Sequence, residues 1–335
     1  MSKLGSGGIG EVYLAEDTRL GRQVALKFLP ASFQYDPDRR ARFLQDTRIA
    51  SALRSPNIAA IYDIGEHQDS TYIVMEYVEG ERVSRRLERG PFPVREAIDI
   101  AIQIAEALEE VHCLGFAHGN IRSSNLILTE RGLVKVLDFG LIRIDGSDHT
   151  SSDHDRTAAL SQQTSLSPIS GNVAYMSPEQ TLDRDIDHRS DIFSLGVVLY
   201  EMLTARLPFE AESPSGVIDR ILHHEPHAIA RLNYSVSPEL ERIVRKCLEK
   251  DRKRRYQSAK EIAIDLRSLQ RDSATETMVS IDTNPRTRPI RRLRTRKAID
   301  SLAILPLVNE SDDPDTEYLT DGITESIINN LSQLP

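Results

Sequence analysis

The chain has 335 residues, 39% of them apolar and 28% charged, enough for one large domain or two ordinary ones around a sizeable core. Its net charge of −9 argues against general nucleic-acid binding, and Cys113 and Cys247 are too few and too far apart for a disulfide framework or a metal site, so buried, reduced thiols in a cytoplasmic setting are expected. The opening MSKLGSGGIG has no apolar signal core, and the longest apolar runs, LGVVLYEML and LAILPLV, fall far short of a membrane span.

Residues 3–30 read as two strands: a glycine turn in KLGSGGIGEVYLAED is followed by alternating Val12 and Leu14, and QVALKFL repeats the alternation. Residues 37–54 carry Phe43, Ile49, Ala50 and Leu53 at helical spacing, between Pro37 and the SPN that follows, and predict one amphipathic helix. IAAIYDIGE and STYIVMEYVEG read as two more strands, so the first 80 residues form a small sheet with one helix. From residue 94 the character changes. VREAIDIAIQIAEALEEVHCLG is a long helix ending near Gly115, and SDIFSLGVVLYEMLT, SPELERIVRKCLEK and SAKEIAIDLRSLQ make the second half mainly helical.

Residues 145–170, rich in Ser, Thr and Asp with little to bury, predict a long mobile loop. Residues 271–297 shift composition again and end in NPRTRPIRRLRTRK, with seven basic residues and no acid; a solvated tether and a binder of an anionic surface both fit. Beyond it, SLAILPLVNESDD reads as a strand and turn and DGITESIINNLSQL as a capped helix, too little to make a core of their own.

GSGGIG at 5–10 fits G-x-G-x-x-G, but its glycines precede a strand, which suits a β-hairpin flap whose backbone amides lie over phosphates and not a dinucleotide-binding helix. Lys27, in VALK on the next strand, faces the same space. Coupled to the flap and to DFG at 138–140, it becomes a phosphate ligand.

With GSGGIGEV, VALK, MEYVEG, HGNIRSSN, DFG, SPE at 177–179 and DIFSLG at 191–196 in this order, the chain resembles the eukaryotic-like serine/threonine protein kinases of bacteria over about residues 2–270. The resemblance implies an α+β, two-lobed fold: a β-rich small lobe with one helix at 1–78, its first strand truncated, and a larger helical lobe at 79–270. A basic linker at 271–297 then leads to 298–335, which resemble the start of a TolB-like α/β module. ATP would lie between the lobes. Gly5, Ser6, Gly7, Gly8 and Gly10 would cover its phosphates; Leu4, Val12, Ala25 and Ile127 would sandwich the adenine; Met75 would line the back of the pocket, and the backbone of Glu76 and Val78 would hydrogen-bond the base. Lys27 would pair with the α- and β-phosphates, Asp138 would hold Mg²⁺ and Asn125 a second metal ion. Asp46 stands where the family has the Glu that anchors the lysine, shorter by one methylene, about 1.5 Å of reach. Glu179 and Arg255 match a buried ion pair of the large lobe, and Asp191 an aspartate that braces the catalytic loop.

The acceptor side departs from the family. Its His-Arg-Asp is His118-Gly119-Asn120 here, so the carboxylate that accepts the substrate proton is an amide, which takes no proton at neutral pH. The Lys that meets the γ-phosphate is Arg122, and the Thr before SPE is Asn172. Gly119 removes the side chain that pairs with a phosphorylated activation loop. These changes imply a signalling pseudokinase that binds Mg²⁺-ATP with absent or very weak phosphotransfer. An active kinase transferring the ATP γ-phosphate to protein Ser or Thr, and a non-functional truncated gene product, stay open beside it. A protein partner or substrate is implied but not named, with no nucleic acid and no transmembrane segment.

Overall fold

The structure, a computed structural model, describes residues 1–7, 10–29, 37–67, 70–138, 142–143, 173–182, 184 and 186–279. Strands β1 (Ser2–Gly7), β2 (Gly10–Asp17), β3 (Arg22–Phe28), β4 (Ile61–His67) and β5 (Ser70–Glu76) form an antiparallel sheet in the order β1-β2-β3-β5-β4. The stretch read as two strands therefore holds three. β1 pairs from Ser2 opposite Leu14 to Gly7 opposite Gly10, with an irregularity between Lys3 and Gly5. Register decides what each face does. Val12 lies opposite Lys27, Leu14 opposite Ala25, and β5 brings Met75 to Ala25 and Ile73 to Lys27. Because strand side chains alternate, these six share one face, while Ala15, Val24 and Leu26 pack with Phe28, Tyr72 and Val74 as a small core on the other. Helix α1 (Pro37–Ala50) ends four residues before the expected point, and Ile49 and Leu53 pack against the large helical core.

After β6 (Glu81–Arg82) and the short α2 (Val83–Leu87), α3 (Val94–Cys113) buries Ala97, Ala101, Ile104, Leu108 and Val111 at three- and four-residue spacing. α4 (Pro178–Thr181) is a single turn. α5 (Arg189–Thr204) is buried on nearly every side from Ser190 onward and is the central helix of the larger lobe. α7 (Pro238–Cys247) crosses it at Gly196, where an added Cβ would lie 2.6 Å from Cys247 Cβ, so only glycine allows the approach. Ser237 caps α7 by accepting from the Leu240 amide, and α6 (Pro214–His223), which the periodicity reading leaves out, starts the same way at Ser213-Pro214. Its buried Val217 and Ile221 hold it to the core.

The second half is not purely helical. β6, β8 (Leu126–Leu128) and β9 (Val134–Val136) form a three-stranded sheet, and β7 (Phe116–Ala117) pairs with β10 (Ile142–Arg143). Strands of two or three residues leave no alternation to read. α8 (Ala259–Val279) runs nine residues past the expected lobe boundary, so the linker expected from residue 271 begins inside a helix. Cys247 is buried, but Cys113 is exposed, which corrects the expectation for that thiol. Among the described residues no helix is long and apolar enough to cross a membrane. The loop expected at 145–170 and the unit at 298–335 lie outside the described residues.

Candidate functional site

The loop at 118–125 is held from beneath. Asp191, in the first turn of α5, accepts the backbone N–H of His118 at 2.7 Å and of Gly119 at 2.8 Å, and lies 2.8 Å from His112 Nε2. Gly119 has φ 74°, a left-handed conformation that glycine adopts freely and a side-chain-bearing residue adopts at a cost of about 1–2 kcal/mol. Its carbonyl accepts from Gln180 Nε2 at 3.2 Å. Gln180 also closes a capping box with Ser177 at the start of α4, so one side chain ties that helix to the loop. Deeper in the lobe Glu179 meets Arg255 at 2.6 and 2.8 Å and accepts from Ser190 Oγ at 2.6 Å.

His118 is buried, and burial pushes its pKa down to about 4, against the pull of Asp191 and Asp138. A histidine whose folded pKa lies below the unfolded value near 6.5 contributes stability that is complete above about pH 6.5 and lost as pH falls toward 4, because the unfolded chain takes up the proton first. Denaturant unfolding between pH 7.5 and 4.5 should therefore lose up to about 3 kcal/mol through this group. His118→Asn, which does not titrate, should remove that part of the slope; identical slopes for the two proteins would contradict the assignment.

Above the loop Lys27 Nζ lies 2.7 Å from Asp138 Oδ1, and the lysine is buried. Asp138 itself has φ 56°. Burial raises its pKa, but Lys27, then Arg122 and Arg82, outweigh burial and hold the carboxyl below its usual range. Asn120 Nδ2 donates to the Asp138 carbonyl at 3.3 Å, Asn125 Nδ2 to the Asn120 carbonyl at 3.0 Å, and the Leu137 amide to the Asn125 carbonyl at 2.8 Å. Asn120, Asn125 and Asp138 are thus locked into one network. Beside them Ser123 Oγ lies 2.8 Å from Tyr175 Oη, which donates to Glu201 at 2.6 Å.

Ala25, Val78 and Ile127 are buried, and Val78 and Ile127 cluster with Ala59 and Leu137 apart from the main core. Val12 and Met75 are half-buried on the Lys27 face of the sheet, and Leu4 is 39% exposed. The Glu76 amide donates to the Ala60 carbonyl at 2.8 Å, so that amide is not open to a ligand. Its carboxylate holds Lys135 at 2.8 Å. Gly5 and Gly10 end up on paired strands β1 and β2. Gly8 and Asn172 lie outside the described residues, as do the side chains of Ser6 and Asp46. Arg82 and Gln180 also reach the loop; the S-x-x-Q of a capping box signals Gln180 in the sequence, and nothing local signals Arg82.

The family profile described as protein kinase domain matches residues 1–265. A protein of Streptomyces coelicolor named as a probable serine/threonine-protein kinase is 40% identical over 268 residues, 78% of this chain and 38% of that relative. Serine/threonine-protein kinase PknB of Mycobacterium leprae is 38% identical over 78% of this chain and 41% of its own length, and PrkC of Bacillus subtilis 37% identical over 79% and 39%. The chain thus spans about two fifths of the length of these relatives. Among solved structures, a point mutant of the Mycobacterium tuberculosis PknI kinase domain is similar in fold, with TM-score 0.60 and 22% identity over 81% of this chain and 94% of that one.

Proposed function

The chain belongs to the protein kinase domain family, and from that premise we propose that it is a serine/threonine-kinase-type module that binds Mg²⁺-ATP and transfers the γ-phosphate very weakly or not at all. One observation carries the reading. The network that fixes Asn125 and Asp138 runs through Asn120, whose side chain stands where a proton acceptor is needed and is already spent donating to the Asp138 carbonyl. The frame serves the nucleotide side and leaves the acceptor side without a base. A positioned general base contributes about 10²–10⁴-fold, and phosphoryl transfer leans on positioning and charge as well, so a trace of activity is compatible with this arrangement.

The donor set fits the ligand. Asp138 offers a carboxylate, Asn125 keeps its amide oxygen while Nδ2 is engaged, and Lys27 supplies a buried cation for phosphate. When bound, Mg²⁺ neutralises phosphate charge. Ala25, Val78 and Ile127 give the base an apolar bed, with Leu4, Val12 and Met75 around it and the flap of Gly5 to Gly10 over the phosphates. Asn172 and Arg122 are read as further departures on the acceptor side.

Saturating Mg²⁺-ATP at about a hundredfold above Kd should stabilise the chain by about 2.7 kcal/mol, a rise in Tm of roughly 5–10 °C for a domain of this size. Lys27→Ala and Asp138→Ala should abolish the rise. A transition that nucleotide leaves unmoved would overturn the binding half of the proposal. For the domains, we propose a small lobe at 1–78, a large lobe running to the end of α8, and a TolB-like start at 298–335; a division of contacts between Asp282 and Thr283 supports a boundary near there.

A further inference from the structure

Arg82, exposed on β6, donates from its guanidinium to the Ser124 carbonyl at the far end of the 118–125 loop. Arg122 extends from the same loop. Its Nε is buried without a hydrogen-bond partner, and among the described residues its guanidinium makes no ion pair. A guanidinium nitrogen stripped of water and given no acceptor is costly to keep, so the geometry calls for an anion to complete it. The surroundings point the same way. Burial lowers the Arg122 pKa against the pull of Asp138, and Arg82 lowers it further, while Arg122 and Arg82 both help to hold the Asp138 carboxyl below its usual range, so both guanidinium groups lie within electrostatic reach of that carboxylate. That carboxylate is already paired with Lys27 at 2.7 Å. Lys27, Arg82 and Arg122 thus face Asp138 together, and the loop itself, His-Gly-Asn-Ile-Arg-Ser-Ser-Asn, contains no acid; the other carboxylates against it are engaged, Asp191 by the His118 and Gly119 amides and Glu201 by Tyr175 and Ser123. Asn120 matters for charge as well as for proton transfer: a carboxylate there would repel an incoming anion, and the amide does not.

We propose that Arg82 and Arg122 form a receptor for the phosphoserine or phosphothreonine side chain of a protein segment, so that the acceptor side of this site reads a phosphate instead of delivering one. Guanidinium groups suit this because their planar forks engage two phosphate oxygens at once and stay charged at every physiological pH. The proposal rests on the reading that the loop lacks a base, and does not require nucleotide to be bound.

The test uses the full chain and a fluorescein-labelled degenerate peptide pool with one fixed central phosphoserine, against the same pool carrying serine, read by fluorescence anisotropy. The phosphorylated pool should bind about tenfold tighter or better, and the preference should weaken with added salt. Arg82→Met and Arg122→Met should each remove most of it, and Arg122→Lys should keep only part. Arg82 is exposed, so its substitution tests the site without threatening the fold. The preference should persist with the nucleotide pocket filled by Mg²⁺ and a non-hydrolysable ATP analogue. Three results would overturn the proposal: equal binding of the two pools, a preference that survives both arginine substitutions and so belongs elsewhere, such as the basic stretch at 286–297, or complete displacement by the analogue, which would assign the arginines to the nucleotide's own terminal phosphate. Nucleotide binding is read separately by thermal shift. A shift without peptide preference sinks only the receptor, and peptide preference without a shift sinks only the Mg²⁺-ATP reading.

Discussion

Glu179→Ala should destabilise the larger lobe by about 3–5 kcal/mol, because it leaves the Arg255 guanidinium buried without its counter-charge. The Arg255 side chain has no exposed surface and meets Glu179 at 2.6 and 2.8 Å, with further bonds to the carbonyls of Arg189, Glu249 and Lys250. These carbonyls satisfy hydrogens but do not neutralise a cation. At about 2–4 °C per kcal/mol for a domain of this size, Tm should fall by roughly 6–20 °C in a thermal melt. The double change Glu179→Leu with Arg255→Met should lose less than either single change, since it removes both charges from the core, and the double-mutant cycle should return a coupling of more than about 1 kcal/mol. A loss below about 1 kcal/mol for Glu179→Ala would show that water reaches the pair.

Restoring the acceptor side should raise phosphotransfer by orders of magnitude, but only when several residues change together. Asn120→Asp supplies a carboxylate, yet it also replaces the Nδ2 donor that holds the Asp138 carbonyl at 3.3 Å with an oxygen facing an oxygen. The single reversion therefore gains a base and loses an anchor. It should give at most about a tenfold rise, whereas a well-placed base is worth about 10²–10⁴-fold. Asn120→Asp with Arg122→Lys and Asn172→Thr should exceed the sum of the single effects, and Asp46→Glu should add further, since residues acting as one unit are non-additive. Initial rates with a generic protein acceptor measure this. A single reversion as active as the triple would show that Asn120 alone is the defect.

Much of this site was legible because ordered motifs carry their own spacing. The glycine flap, Lys27, Asn125 and Asp138 are fixed by local sequence, and the Asp191 brace and the Glu179–Arg255 pair stand where the resemblance implies them. What escaped the sequence has physical reasons. β1 is mostly glycine and serine, so it has no apolar alternation, and its pairing comes from β2. α8 continues through the polar run after residue 270, past the point where the apolar pattern stops. Gly119, read as a lost arginine, is also a residue that fits φ 74° without strain, a backbone angle that no composition reveals. Arg82, forty residues from Arg122 in sequence, meets the loop only through the fold, as Gln180 does from the other side.

The most direct test of the central claim is a single-turnover assay with γ-labelled ATP and Mg²⁺ on the unmodified chain, following label on the protein and on a generic acceptor, beside Asp138→Ala prepared in parallel. The proposed function predicts label no more than marginally above the Asp138→Ala background, in a preparation whose Tm rises with the same nucleotide. Robust labelling that Asp138→Ala abolishes would contradict it and make the chain an active kinase.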